Sequence, residues 1–150
     1  MFSEGDNMTK KLKIVTNNNI PRYATAQSAG IDLYCSNKED IEIKPRETVK
    51  IDTGLKVQIP QGYFGAVYTR SSTGVKRKLM LANTVGVIDS DYRGEIMIYF
   101  YNYGDEAQII KNGDRLAQLV IQPYQQFNIE VVDHLDESDR GEGGFGSTGR

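Results

Sequence analysis

Arg70, Ser71 and Ser72, consecutive in "TRSSTG" (69–74), gather a guanidinium and two hydroxyls at one point of the chain. If they open a short helix, its free backbone N–H groups join them, and that combination suits a phosphate. A helix capped by Ser71 or Ser72, with a solvated arginine beside it, fits the same tripeptide. Asp89 ends the apolar run "VGVID" and precedes the turn "SDYRG". A carboxylate there, beside the rigid ring of Tyr92, is placed to hold a water or a sugar hydroxyl; a turn-forming aspartate with a tyrosine packed on its hairpin is the plainer alternative. Asp32 in "GIDL" either faces out, away from Ile31 and Leu33, or turns inward to meet the water shell of a divalent ion. Gln118 is an amide inside the otherwise apolar "RLAQLV", and a solvent-facing place on an alternating strand also accounts for it.

The stretch "RGEGGFGSTGR" (140–150) raises a different question, since five of the last ten residues are glycine. Without periodic apolar residues it cannot bury a face, and each glycine loses much backbone entropy on ordering. Yet it keeps Phe145, Arg140, Arg150, Ser147 and Thr148, an aromatic and several anion-binding groups. Cys35 and His134 are the only residues of their kinds, which excludes an intrachain disulfide and a Cys/His zinc cage. Cys35 reads as a small core residue and His134 as solvated. Chemistry in this chain therefore rests on carboxylates, hydroxyls, amides and arginines. A formal net charge of −2 removes the broad cationic footprint of a protein that grips polymeric nucleic acid, while leaving room for a small anion at a local site. No apolar run is long enough for a signal-peptide core or a membrane span, so the expected location is the cytoplasm, with no membrane partner.

The elements that must position these groups are strands. In "ETVKIDTGLKVQIP" the residues Val49, Ile51, Leu55, Val57 and Ile59 share one parity, and Lys50, Asp52, Lys56 and Gln58 share the other, as a half-buried strand requires. "DIEIK" repeats the pattern. "LKIV", "GIDLYC", "YFGAVYTR", "TVGVID", "EIMIYFYN", "AQII", "RLAQLVIQP" and "NIEVVD" are further strand candidates, parted by the turn signals "PRE", "PQG", "YGDE" and "NGD". Only "SSTGVKRK" is a helix candidate. Hydrophobic residues at 39% and charged residues at 25% fit one globular domain, and many short strands point to an all-β sandwich, jelly roll or barrel. No Rossmann fingerprint, P-loop or internal repeat is present.

Taken in order, "AGIDL", "RSSTG", "NTVGVIDSDYRGEI", "GDRLAQLV" and "RGEGGFGSTG" resemble the five motifs of the trimeric deoxyuridine triphosphate nucleotidohydrolases, the dUTPases, from Ala29 to Gly149. The resemblance implies a jelly-roll β-domain over 1–136 and a flexible Gly-rich C-terminal arm over 137–150 that closes over the active site. It implies a homotrimer with shared active sites. The reaction it implies is hydrolysis of dUTP to dUMP and pyrophosphate by Mg²⁺-assisted attack of water at the α-phosphate, which limits uracil incorporation into DNA and supplies dUMP for dTTP synthesis. Carried over by position, Arg70, Ser71, Ser72 and Gln118 line the phosphates, with Gly74 beside them, and Asp32 meets Mg²⁺ through water. Asp89 activates the attacking water and contacts the sugar 3′ hydroxyl. Asn83, Gly86, Val87 and Ile88 belong to the hairpin that reads uracil, and Tyr92 packs under the deoxyribose and blocks a 2′ hydroxyl. Phe145 stacks on the base, while Arg140, Gly146, Ser147 and Thr148 belong to the arm that holds the γ phosphate.

Two other readings share this sequence. A dCTP deaminase of the same fold would carry a glutamate in the strand where "GEIMIYFYN" has Tyr99, so the deaminating base is missing. A nucleotide-gated regulatory protein, binding a partner with catalysis secondary, is compatible with intact motifs.

Overall fold

Alternating side chains decide which way each sheet faces. The computed structural model of the chain describes residues 11–144, and within them lie ten strands and one helix. In chain order the first strands are β1 (Lys13–Thr16), β2 (Ile31–Tyr34), β3 (Ile41–Ile43), β4 (Thr48–Gln58) and β5 (Tyr63–Thr69), followed by the helix α1 (Ser71–Arg77). Next come β6 (Leu79–Leu81), β7 (Gly86–Ile88), β8 (Glu95–Asn102), β9 (Gln108–Ile110) and β10 (Arg115–Pro123). Two four-stranded sheets, β1-β4-β8-β6 and β2-β10-β5-β7, and a β3-β9 ladder hold all of them. Every ladder is antiparallel.

Ile51, Leu55, Val57, Ile96, Ile98 and Phe100 from the first sheet meet Ile31, Leu33, Val67 and Leu119 from the second in one core, which the β3-β9 ladder extends with Ile43 and Ile110. This all-β sandwich is of the expected jelly-roll class. Among the described residues no helix is long and apolar enough to cross a membrane.

Asn102 is the polar pin of this core. Fully buried at the end of β8, it donates through Nδ2 to the carbonyls of Ile43 (2.9 Å) and Glu106 (2.8 Å) and accepts from the Gly104 N–H at 2.9 Å. Asn102→Ala strands three backbone groups at once, and the expected loss is about 2–4 kcal/mol of unfolding stability in a urea titration. A loss below about 0.5 kcal/mol would show the amide to be dispensable. Cys35 is buried as expected, and burial, reinforced by the Asp114 charge and opposed by Arg77, pushes its thiol up from an ordinary 9.0 to about 12. Such a thiol is an inert packing group at neutral pH.

Three local features differ from the sequence expectation. β6 is a strand although Leu79–Leu81 is too short to show a period. Neither serine caps α1: Arg70 takes the N-cap place in extended conformation, with no side-chain cap bond, so Ser71 and Ser72 lie in the first turn. "NIEVVD" belongs to no strand, and its alternate residues Ile129 and Val131 are 95% and 94% exposed. An alternating segment becomes a strand only beside a partner edge, and the described part of this chain offers it none.

Candidate active site

Two polar groupings stand out, both tied to the sheet β2-β10-β5-β7. The first is built around Asp32. On the strand face away from Ile31 and Leu33 it is still only 5% exposed, because two arginines cover it. Arg70 reaches Oδ1 through Nε at 3.1 Å, and Arg115 reaches Oδ2 through Nη1 at 3.1 Å. Arg70 also donates through Nη1 to the Arg115 carbonyl at 3.1 Å. One carboxylate thus holds two guanidiniums side by side, leaving a net positive charge at a half-exposed point. Ser71 and Ser72 follow directly on α1, both exposed.

Gln118 joins them through the ladder, since Asp32, Gln118 and Tyr68 lie opposite one another across β2, β10 and β5. Gly30 makes room for its amide: a Cβ there would stand 2.3 Å from Gln118 Oε1.

Sequence reasoning missed Arg115. Simple alternation places residues 115 and 118 on opposite faces, but the register shifts between Arg115 and Ala117, and Arg115 pairs with Tyr34. Tyr34 shares parity with Asp32, so the shift brings Arg115 to the Asp32 face. The cue was its place in "GDRLAQLV", three residues before Gln118.

The second grouping is the turn after β7. Asp89 is exposed there and lines a cleft of about 960 Å³ with Val87, Phe64, Tyr124, Gln58 and Arg93. The Tyr92 N–H donates to the Asp89 carbonyl at 3.1 Å, and Arg93 Nη1 closes the turn on the carbonyls of Ser90 (2.7 Å) and Tyr92 (3.1 Å). Asn83 is exposed ahead of β7, and Gly86 lets that strand pack on Val67, whose Cβ would lie 3.1 Å from an added Cβ. Val87 is exposed and Ile88 packs against the core.

The chain does not bring the two groupings together. β2 and β7 are the outer strands of a four-stranded sheet, so three strand spacings, about 14 Å, separate them. Ile88 also pairs with Gly65, three residues along β5 from Tyr68, which adds about 10 Å along the strands. Gly74, in α1, donates its N–H to the Arg70 carbonyl. Arg140 is exposed and contacts the Gly143 carbonyl through Nε at 2.7 Å, away from both groupings in its bonding. Phe145, Gly146, Ser147 and Thr148 lie outside the described residues.

The dUTPase family model matches residues 16–149. The chain belongs to the dUTPase family. It is 48% identical to the deoxyuridine 5′-triphosphate nucleotidohydrolase of Escherichia phage T5, over 93% of this chain and 97% of that one. To the enzyme of that name from Finegoldia magna it is 44% identical, over 93% and 99%. Among solved dUTPases, that of Staphylococcus bacteriophage 80alpha with dUPNHPP superposes with a TM-score of 0.85 at 28% identity, covering 95% of this chain and all of that one. A mutant dUTPase from phage phi11 of S. aureus, described with a structural Mg(II) ion, gives 0.77 at 25% identity over 85% of this chain and all of that one.

Proposed function

We propose that this dUTPase-family chain hydrolyses dUTP to dUMP and pyrophosphate at sites shared between the subunits of a homotrimer, acting on free nucleotide in the cytoplasm. The observation that carries the shared site is the separation just described. Arg70, Arg115, Ser71, Ser72 and Gln118 form a cradle for a triphosphate around Asp32, and Asp89, in the turn after β7, stands about 20 Å from Asp32 across the sheet. A water activated by Asp89 must lie within hydrogen-bond reach of it and against the α-phosphate, so the cradle takes its Asp89 from a neighbouring chain. The exposed alternation of Phe127, Ile129 and Val131 supports the assembly, because such a segment gains its strand partners from another subunit.

In this reading Arg70 and Arg115 neutralise phosphate oxygens, the serines and Gln118 orient them, and Asp89 accepts the proton of the attacking water as the α–β bridge breaks and pyrophosphate leaves. The hairpin from Asn83 to Ile88 reads the uracil edge with backbone groups. Tyr92 closes the floor under the deoxyribose. The domain proper is the β-fold through about residue 136, and the arm from 137 onward, supplied by the third chain of the trimer, closes the site with Arg140, Phe145, Gly146, Ser147 and Thr148, excluding bulk water.

Magnesium fits as a guest of the substrate. Among the described residues no three Asp, Glu, His or Cys side chains gather to enclose an ion. Each Asp32 oxygen takes one guanidinium yet keeps lone-pair capacity for a metal-bound water. Asp32 therefore suits outer-sphere contact with an ion held by phosphate oxygens. Bound there, Mg²⁺ supplies charge neutralisation on the phosphates.

A nucleotide panel tests the function. Pyrophosphate release from dUTP is expected to exceed that from UTP, dTTP and dCTP by about a hundredfold or more in kcat/KM. Comparable turnover of all four, or ammonia release from dCTP, would overturn it.

A further inference from the structure

We infer that Gly94 is a positioning residue for sugar specificity, serving as the seat on which the Tyr92 ring rests. The inference rests on the reading of Tyr92 as the group beneath the deoxyribose and adds what holds that ring in place.

A Cβ at position 94 would stand 2.3 Å from Tyr92 Oη, 2.5 Å from Cζ and 2.9 Å from Cε2. These three atoms lie on one side of the ring and extend to its hydroxyl, so the ring lies against the bare Cα of Gly94. The backbone does not explain the glycine. Gly54, Gly62, Gly113 and Gly141 are the described glycines in the left-handed region, and Gly94 is not among them, so alanine is conformationally permitted there. What alanine cannot share is the space of the ring.

The rest of the turn fixes the ring on that seat. Tyr92 Oη donates to the Glu95 carbonyl at 2.9 Å. The Glu95 carboxylate in turn accepts from the Gly54 N–H at 2.8 Å, tying the start of β8 to β4. At the other end the Tyr92 N–H is held by the Asp89 carbonyl, and Arg93 clamps the carbonyls of Ser90 and Tyr92. The ring is thereby positioned from the sheet and not by the nucleotide, and the aromatic remains 37% exposed to meet a ligand. A ring held at fixed depth leaves no volume for an added hydroxyl; a displaced ring does.

Gly94→Ala is thus expected to lower the ratio of kcat/KM for dUTP to that for UTP by about tenfold, through the KM values, with kcat on dUTP within a few-fold of the parent because Asp89 keeps its place. Tyr92→Ala should lower the same ratio, and adding Gly94→Ala to it should change nothing further. A lesion of general structure would reduce both substrates alike and leave the ratio unmoved. An unchanged ratio in Gly94→Ala beside a lowered one in Tyr92→Ala overturns the inference while sparing the reading of Tyr92. An unchanged ratio in Tyr92→Ala overturns both. A further drop in the double variant shows Gly94 acting elsewhere and also overturns it. If Gly94→Ala alone fails to fold, folding of the double variant supports the seat, and its failure to fold counts against it.

Discussion

Asp89→Asn retains dUTP with KM within a few-fold of the parent and loses about a thousandfold in kcat. The amide keeps the size and one acceptor oxygen of the carboxylate, so contacts to a sugar hydroxyl survive. On the proposed reading, what disappears is basicity at the point where a water must surrender its proton. The backbone role is untouched, because Asp89 supports the turn through its carbonyl, which accepts from the Tyr92 N–H, and not through its carboxylate. Single-turnover measurement of pyrophosphate separates the step from product release. A kcat within a few-fold of the parent would remove Asp89 from the chemistry.

Deleting residues 140–150 costs at least about a hundredfold in kcat/KM and leaves the thermal midpoint within about a degree. The core lies between the two sheets and its last strand ends at Pro123, and among the described residues none of the deleted segment belongs to it. On the proposed reading the substrate, in contrast, loses Arg140, Phe145, Ser147 and Thr148 together, and with them the closure that orients the triphosphate for attack. Retained turnover would show that the cradle and the hairpin suffice, and a fall of several degrees would make the segment structural.

The longer strands of the sandwich, β4 and β8, were legible because each buries one face. In β4 the parity of Val49, Ile51, Leu55 and Val57 survives intact, even though a register shift between Asp52 and Lys56 interrupts its pairing with β8. Gly54, with φ of +64°, sits inside that shift. Leu79–Leu81 escaped notice because three residues carry no period, and only the pairing with β8 makes them a strand. Arg115 escaped for the opposite reason: its alternation was clear but was reversed by a bulge that leaves no mark in composition. Asp32 was ambiguous in sequence between solvent and a metal's water shell. The structure shows a third circumstance, a carboxylate buried under two arginines, which depends on β2, β5 and β10 lying side by side. "NIEVVD" has the pattern of a strand and no neighbour among the described residues, and a pattern alone does not say which chain supplies the partner.

In the proposed trimer one site draws Asp89 from one chain and the arm from another. Asp89→Asn and the 140–150 deletion, each inactive, can be unfolded together in equal amounts and reassembled, with mixed trimers confirmed by native mass. With random mixing in a closed trimer, about a quarter of sites receive an intact Asp89 and an intact arm from two different chains, and about a quarter of the parent activity returns. If Asp89 and the arm reached a site from the same chain, every site would lack one of them, and mixed trimers without recovered activity would show that the sites are not shared in this way.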